Sequence, residues 1–76
     1  MIYLENKRFG KCEIICTFKE VAIIELEKNF EKYVVAIGFS IKNGNWTKGF
    51  YCKNFKDAGE IFNSILEDFY MVLFKF

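Results

Sequence analysis

The chain has 76 residues, a formal net charge of +1 and a composition that is 53% hydrophobic, 20% aromatic and 28% charged. That length supports one domain at most, spanning residues 1–76, and the apolar content excludes a disordered chain. Lysines and carboxylates are interspersed without a basic block and Arg8 is the only arginine, which disfavours a dedicated sequence-specific DNA binder.

Ile2 to Glu5 alternates apolar and polar residues and predicts a first strand, followed by a turn at Lys7-Arg8-Phe9-Gly10. Lys11 to Phe18 predicts a second strand with Cys12, Ile14, Cys16 and Phe18 on one face and Ile15 as the exception. Lys19-Glu20 forms a tight connection. Val21 to Glu27 is rich in β-branched residues, which favours strand. A helix is the alternative for segment 20–30, because Thr17-Phe18-Lys19-Glu20 has capping-box spacing. Lys28-Asn29-Phe30 is the next turn.

Tyr33 to Ile41 alternates cleanly and runs into Asn43-Gly44, a strong two-residue hairpin signal, with a return strand from Asn45 to about Lys53. The register that such a turn implies sets Ile41 opposite Trp46, Phe39 opposite Lys48, Ile37 opposite Phe50 and Val35 opposite Cys52. On the other face Gly38 lies opposite Gly49 and Ala36 opposite Tyr51. Paired glycines inside a hairpin read first as a bulge or bend, and second as a shallow groove for a partner.

Asn54 caps a helix from Phe55, with Asp57 in its first turn. Ala58, Ile61, Phe62, Ile65, Leu66 and Phe69 make its apolar stripe, and Gly59 is expected to allow close approach to a sheet. Residues 70–76 are apolar on nearly every side and either continue the helix to about Phe74 or turn into an extended edge segment. The expected fold class is therefore α+β: a four- or five-stranded antiparallel sheet with one C-terminal amphipathic helix on one face. That helix is expected to cover Val35, Ile37, Phe39, Trp46 and Phe50.

Catalytic and metal chemistry has few resources here. There is no His, so a nucleophile would have to find another base. Cys12, Cys16 and Cys52 fall on strand faces and read as inert core thiols. Three cysteines without His make a poor zinc set, so neither a metal nor a cofactor is expected. The carboxylate pairs Glu25/Glu27 and Glu67/Asp68 read as solvated faces. The longest uncharged stretch, Tyr33 to Ile41, is too short for a membrane span, and no signal-peptide pattern opens the chain, so the expected location is cytoplasmic.

What remains is binding. So small a domain buries only about 60% of its unfolded surface, and with fifteen aromatic residues some apolar surface should stay exposed for a partner. The candidate partner-binding residues are Tyr51, Gly38 and Gly49 on the second sheet face and Tyr70, Val72, Phe74 and Phe76 at the terminus. The expectation is a non-enzymatic protein-binding module acting as a homodimer. The alternative is a single-stranded nucleic-acid module using Trp46 to Lys53, where Trp46, Lys48 and Phe50 would share a face.

Phe, Ile, Lys and Asn supply 35 of the 76 residues, a bias toward A/T-rich codons. With the small size and the strand-rich, one-helix layout, the profile resembles the small proteins of bacteriophages and mobile elements, the anti-CRISPR proteins among them. The resemblance implies an inhibitor that binds a bacterial defence complex. It rests on no motif and assigns no residue.

Overall fold

The computed structural model describes residues 2–73, and the side chains of residues 2–68. Five strands follow one another as an antiparallel meander: β1 (Ile2–Asn6), β2 (Gly10–Phe18), β3 (Val21–Leu26), β4 (Tyr33–Ile37) and β5 (Lys48–Cys52). Sheet order equals chain order, so β1 and β5 are the two edges. One helix, α1 (Phe55–Leu73), packs across β3, β4 and β5. The fold is α+β as its residue pattern predicts, and segment 21–26 is a strand rather than a helix.

β2 departs from simple alternation. Ile14 pairs with Ile24 but Cys16 pairs with Ile23, so Ile15 is an extra residue in a bulge. The bulge turns the strand over. Cys12 and Ile14 face away from the helix, whereas Cys16 and Phe18 pack on the helix side. The expected single face of Cys12, Ile14, Cys16 and Phe18 is corrected accordingly, and the exposed Ile15 is the residue that broke the pattern.

The β4–β5 hairpin is corrected too. Val35 lies opposite Phe50 rather than Cys52, and Ala36 opposite Gly49 rather than Tyr51. A shift of two residues keeps each paired side chain on its expected face. The cause is Gly38, whose φ of 71° ends β4. Beyond it, the Phe39 amide donates to the Glu20 carbonyl at 2.9 Å instead of pairing with β5. The chain turns at a tip closed between Ser40 and Asn45, with Gly44 at φ 69°. Asn43-Gly44 does mark the turn, but inside a longer loop.

That loop builds a second core. On the helix side, Ile23, Val35, Cys52, Ala58 and Phe62 are buried, flanked by Cys16, Phe18, Val21, Tyr33, Ile61, Ile65 and Leu66. On the far side, Cys12, Ala22, Ile24, Leu26, Val34 and Ala36 are buried beneath Leu4, Phe9, Phe39, Trp46 and Tyr51. Phe39 and Trp46, expected under the helix, thus cover the opposite face. That face is closed by the chain's own loops.

Asn54 Oδ1 accepts the Asp57 amide at 2.9 Å and caps α1. The helix runs on to Leu73, which places Tyr70 and Val72 in helical backbone, while Phe74 and Phe76 lie outside the described residues. Close approach to the sheet is made by the fully buried Ala58. A Cβ at Gly59 would meet nothing within 4 Å, so the expected packing role of Gly59 is corrected. Gly59→Ala is predicted to raise stability by about 0.5–1 kcal/mol through helix propensity alone, read as a higher urea midpoint with an unchanged m-value.

Candidate functional site

β5 is an edge strand whose two sides differ. Lys48, Phe50 and Cys52 lie on the helix side, and Gly49 and Tyr51 on the far side. Phe50 is 36% exposed, with the Lys48 ammonium 5.2 Å from its ring centre. Beyond Cys52, Lys53 sits 4.9 Å over the ring of Phe30, which is 78% exposed. Phe55, also exposed, meets Tyr33 edge-on at 5.7 Å. Large apolar side chains therefore run along β5 and around its C-terminal end.

Charge is distributed unevenly along the same edge. The first end carries Lys48. The second opens on a groove of about 500 Å³ lined by Glu31, Lys53, Asp57 and Glu60. Burial pushes the Cys52 thiol up, and the carboxylates of Asp57 and Glu31 push it further. Those two acids lie beside the C-terminal end of β5, with Lys53 in the same groove.

The far face holds a second feature. Trp46 and Phe9 stack with ring centres 5.9 Å apart and planes at 11°, and Tyr51 lies 5.7 Å from Phe9. Trp46 Nε1 donates to Tyr51 Oη at 3.3 Å. Gly49 makes room for this arrangement: a Cβ there would lie 2.8 Å from Val34 Cγ2, 3.1 Å from Trp46 Nε1 and 3.2 Å from Tyr51 Cε2. Asn6 joins the two loops above it. Its Oδ1 accepts the amides of Arg8 and Phe9, and its Nδ2 donates to the Gly44 carbonyl at 2.7 Å.

Of the expected partner-binding residues, Tyr51 and Gly49 come together on the far face, and Trp46 fills the space above Gly49. Gly38 is not opposite Gly49; it lies against Thr47 in the loop. The expected stripe of Trp46, Lys48 and Phe50 is also corrected, since Trp46 packs on the far face and Phe50 on the helix side. What the residue pattern did not reveal is the acidic end of β5: Glu31 comes from the β3–β4 connection, and Asp57 and Glu60 come from the first turns of α1. Lys7 and Arg8 read from the sequence as part of a turn, because nothing in their spacing ties them to Trp46.

The carboxylates of Glu13, Glu25 and Glu27, with Tyr3 and Lys11, line the part of the helix-side face that α1 leaves uncovered. Glu13 stands directly opposite Glu25, and Lys11 lies over the Tyr3 ring at 4.5 Å. The β2 bulge separates Cys12 from Cys16, on opposite faces of the sheet. Among the described residues no cluster of three or more Cys, Asp or Glu could hold a metal ion, and no helix is long and apolar enough to cross a membrane.

Desolvation raises all three thiols, with the Glu5 carboxylate adding at Cys12 and a backbone hydrogen bond from Ile23 opposing at Cys16. A raised thiol keeps its proton where the unfolded chain loses it, so this contribution to stability is intact below the ordinary thiol range and falls as pH climbs through it. At pH 8 a disulfide reagent is expected to modify the half-buried Cys16 first. Cys12 and Cys52 should react about 100-fold more slowly than in urea. Equal rates for all three in the folded chain would contradict their placement.

Comparisons with protein families, with curated proteins and with solved structures found no match to this chain.

Proposed function

We propose that the chain is a non-enzymatic, cytoplasmic protein-binding module that works as a homodimer joined through β5. The observation that carries this reading is the self-complementarity of that edge. An antiparallel pairing of two β5 strands about a two-fold at Phe50 sets Phe50 against Phe50 of the second copy. It sets Gly49 against Tyr51, and Lys48 against Cys52 with its neighbouring Glu31 and Asp57. A two-fold contact makes the Gly49–Tyr51 and Lys48–Cys52 pairs twice, flanking the single Phe50 pair on the axis. The backbone groups of the edge supply the hydrogen bonds, and the exposed Phe50 is covered.

The other edge then serves a target. Ile2 and Tyr3 on β1 are 55% and 49% exposed, and pairing through β5 leaves β1 at both ends of a ten-stranded sheet. The target class suggested by the chain's size and A/T-rich bias is a bacterial defence complex, of the kind that anti-CRISPR proteins block. The absence of His and the three raised thiols support a binding role over catalysis.

Sedimentation tests the dimer. An edge of five residues with flanking aromatics should associate with a dissociation constant of about 1–100 µM. Phe50→Asp places two carboxylates at the two-fold and should leave a monomer at every concentration. Lys48→Glu should weaken association about tenfold or more, and adding Glu31→Lys should restore it. A native chain that stays monomeric at millimolar concentration, or a Phe50→Asp variant that still dimerises, would overturn the β5 contact.

A further inference from the structure

The cavity over Trp46 shares Gly49 and Tyr51 with the β5 edge, and the rest of its lining lies outside that strand. It is an open groove of about 290 Å³ lined by Lys7, Arg8, Asn45, Thr47 and Tyr51 around the Trp46–Phe9 stack. None of its described lining residues is acidic. Among the described residues, the Lys7 ammonium, the Thr47 hydroxyl and the Asn45 side-chain amide have no hydrogen-bond or ion-pair partner. The Arg8 guanidinium lies 5.1 Å from the centre of the Phe9 ring. Tyr51 Oη accepts from Trp46, which leaves its own proton to donate. Five donors without a protein acceptor among the described residues, two of them cationic and four on exposed side chains, therefore border one aromatic-walled groove.

The walls are held in place. Asn6 binds the β1–β2 turn with its Oδ1 and the β4–β5 loop with its Nδ2, so the cationic turn and the Trp46 loop keep a fixed separation. Gly49 permits the indole to lie against the sheet.

We propose that this cavity binds an aromatic phosphate monoester of the size of one pyrimidine nucleotide. Two cations match the charge of a phosphate monoester, about −1.5 to −2 near neutral pH, better than that of a carboxylate. The neutral donors suit its three terminal oxygens, and the Trp46, Phe9 and Tyr51 rings offer a planar group an apolar wall. The volume is at the small end of ligand sites and takes one such unit. Free nucleotides and the 5′-phosphorylated end of a single strand share this chemistry. The site does not rest on the dimer, since Phe50→Asp leaves all its residues in place.

Trp46 is the only tryptophan, so its fluorescence reports on the cavity directly. Uridine 5′-monophosphate is expected to change it saturably with a dissociation constant below about 1 mM. Uridine and inorganic phosphate should each bind at least about tenfold more weakly. Arg8→Gln, an exposed change with an unaltered urea midpoint, should weaken the nucleotide about tenfold or more and flatten its salt dependence. A 5′-phosphorylated oligothymidylate that binds as tightly as the nucleotide, while its unphosphorylated counterpart does not, would identify a strand end as the source. Binding of the nucleotide alone would identify the free form. No saturable change with about 10 mM nucleotide or with the phosphorylated oligomer would overturn the proposal. Unchanged affinity in Arg8→Gln, or equal binding of uridine and its monophosphate, would overturn it as well.

Discussion

Leu26→Ala is expected to lower the folding free energy by about 2–5 kcal/mol at 25 °C. Leu26 is fully buried on the far face of β3, beside Cys12, Ile24 and Val34. Its amide is fixed by the Lys32 carbonyl at 2.6 Å, so the strand end has little freedom to close a void. Leu→Ala changes at such sites cost about 2–5 kcal/mol. A domain of this size has only about 4–11 kcal/mol in total. The control is Phe30→Ala, at a ring 78% exposed, where the expected change is within about 0.5 kcal/mol. Urea denaturation followed by circular dichroism measures both. A cost for Leu26→Ala below about 1 kcal/mol would mean that the far face is not a closed core.

Gly44→Ala should rank next, at about 2–4 kcal/mol. Gly44 has φ 69°, a conformation that costs a side-chain-bearing residue about 1–2 kcal/mol. In addition, the new Cβ would lie 2.5 Å from the Glu5 carbonyl oxygen. That oxygen is backbone and cannot swing aside. The loop tip would have to withdraw from β1, breaking the Asn6 to Gly44 hydrogen bond and loosening Trp46 over the far core. Near-ultraviolet circular dichroism, dominated by Trp46 and its ring neighbours, should fall while the far-ultraviolet signal persists below the unfolding midpoint. A variant with native near-ultraviolet signal and an unchanged midpoint would show that the loop is not pinned.

Local patterns carried most of the architecture. The capped stripe from Asn54 to Leu66 and the β-branched run of Val21 to Leu26 each depend on neighbours a few residues away, so both were legible in the sequence. The failures came where one residue reset a long stretch. Ile15 inserted a bulge and moved Cys16 to the other face. Gly38 ended β4 and sent Phe39 and Trp46 across the sheet. Alternation alone cannot distinguish a strand continuing to Ile41 from one that stops at a glycine and folds over. The far core was missed for the same reason: its lid comes from the β1–β2 turn and the β4–β5 loop, which meet only after folding. A two-residue turn implies a register two residues out, in which Tyr51 and Gly49 form an open face; the observed register makes Gly49 the seat of Trp46.

Edge pairing through β5 is tested most directly by amide hydrogen exchange at two concentrations. Alternate residues of an edge strand point their N–H groups outward, away from the sheet. If two copies pair through β5, those outward amides between Lys48 and Cys52 should exchange at least about tenfold more slowly at high protein concentration than at low, while outward amides of β1 stay unchanged. Outward amides of β5 that exchange at one rate across the whole concentration range would contradict the account.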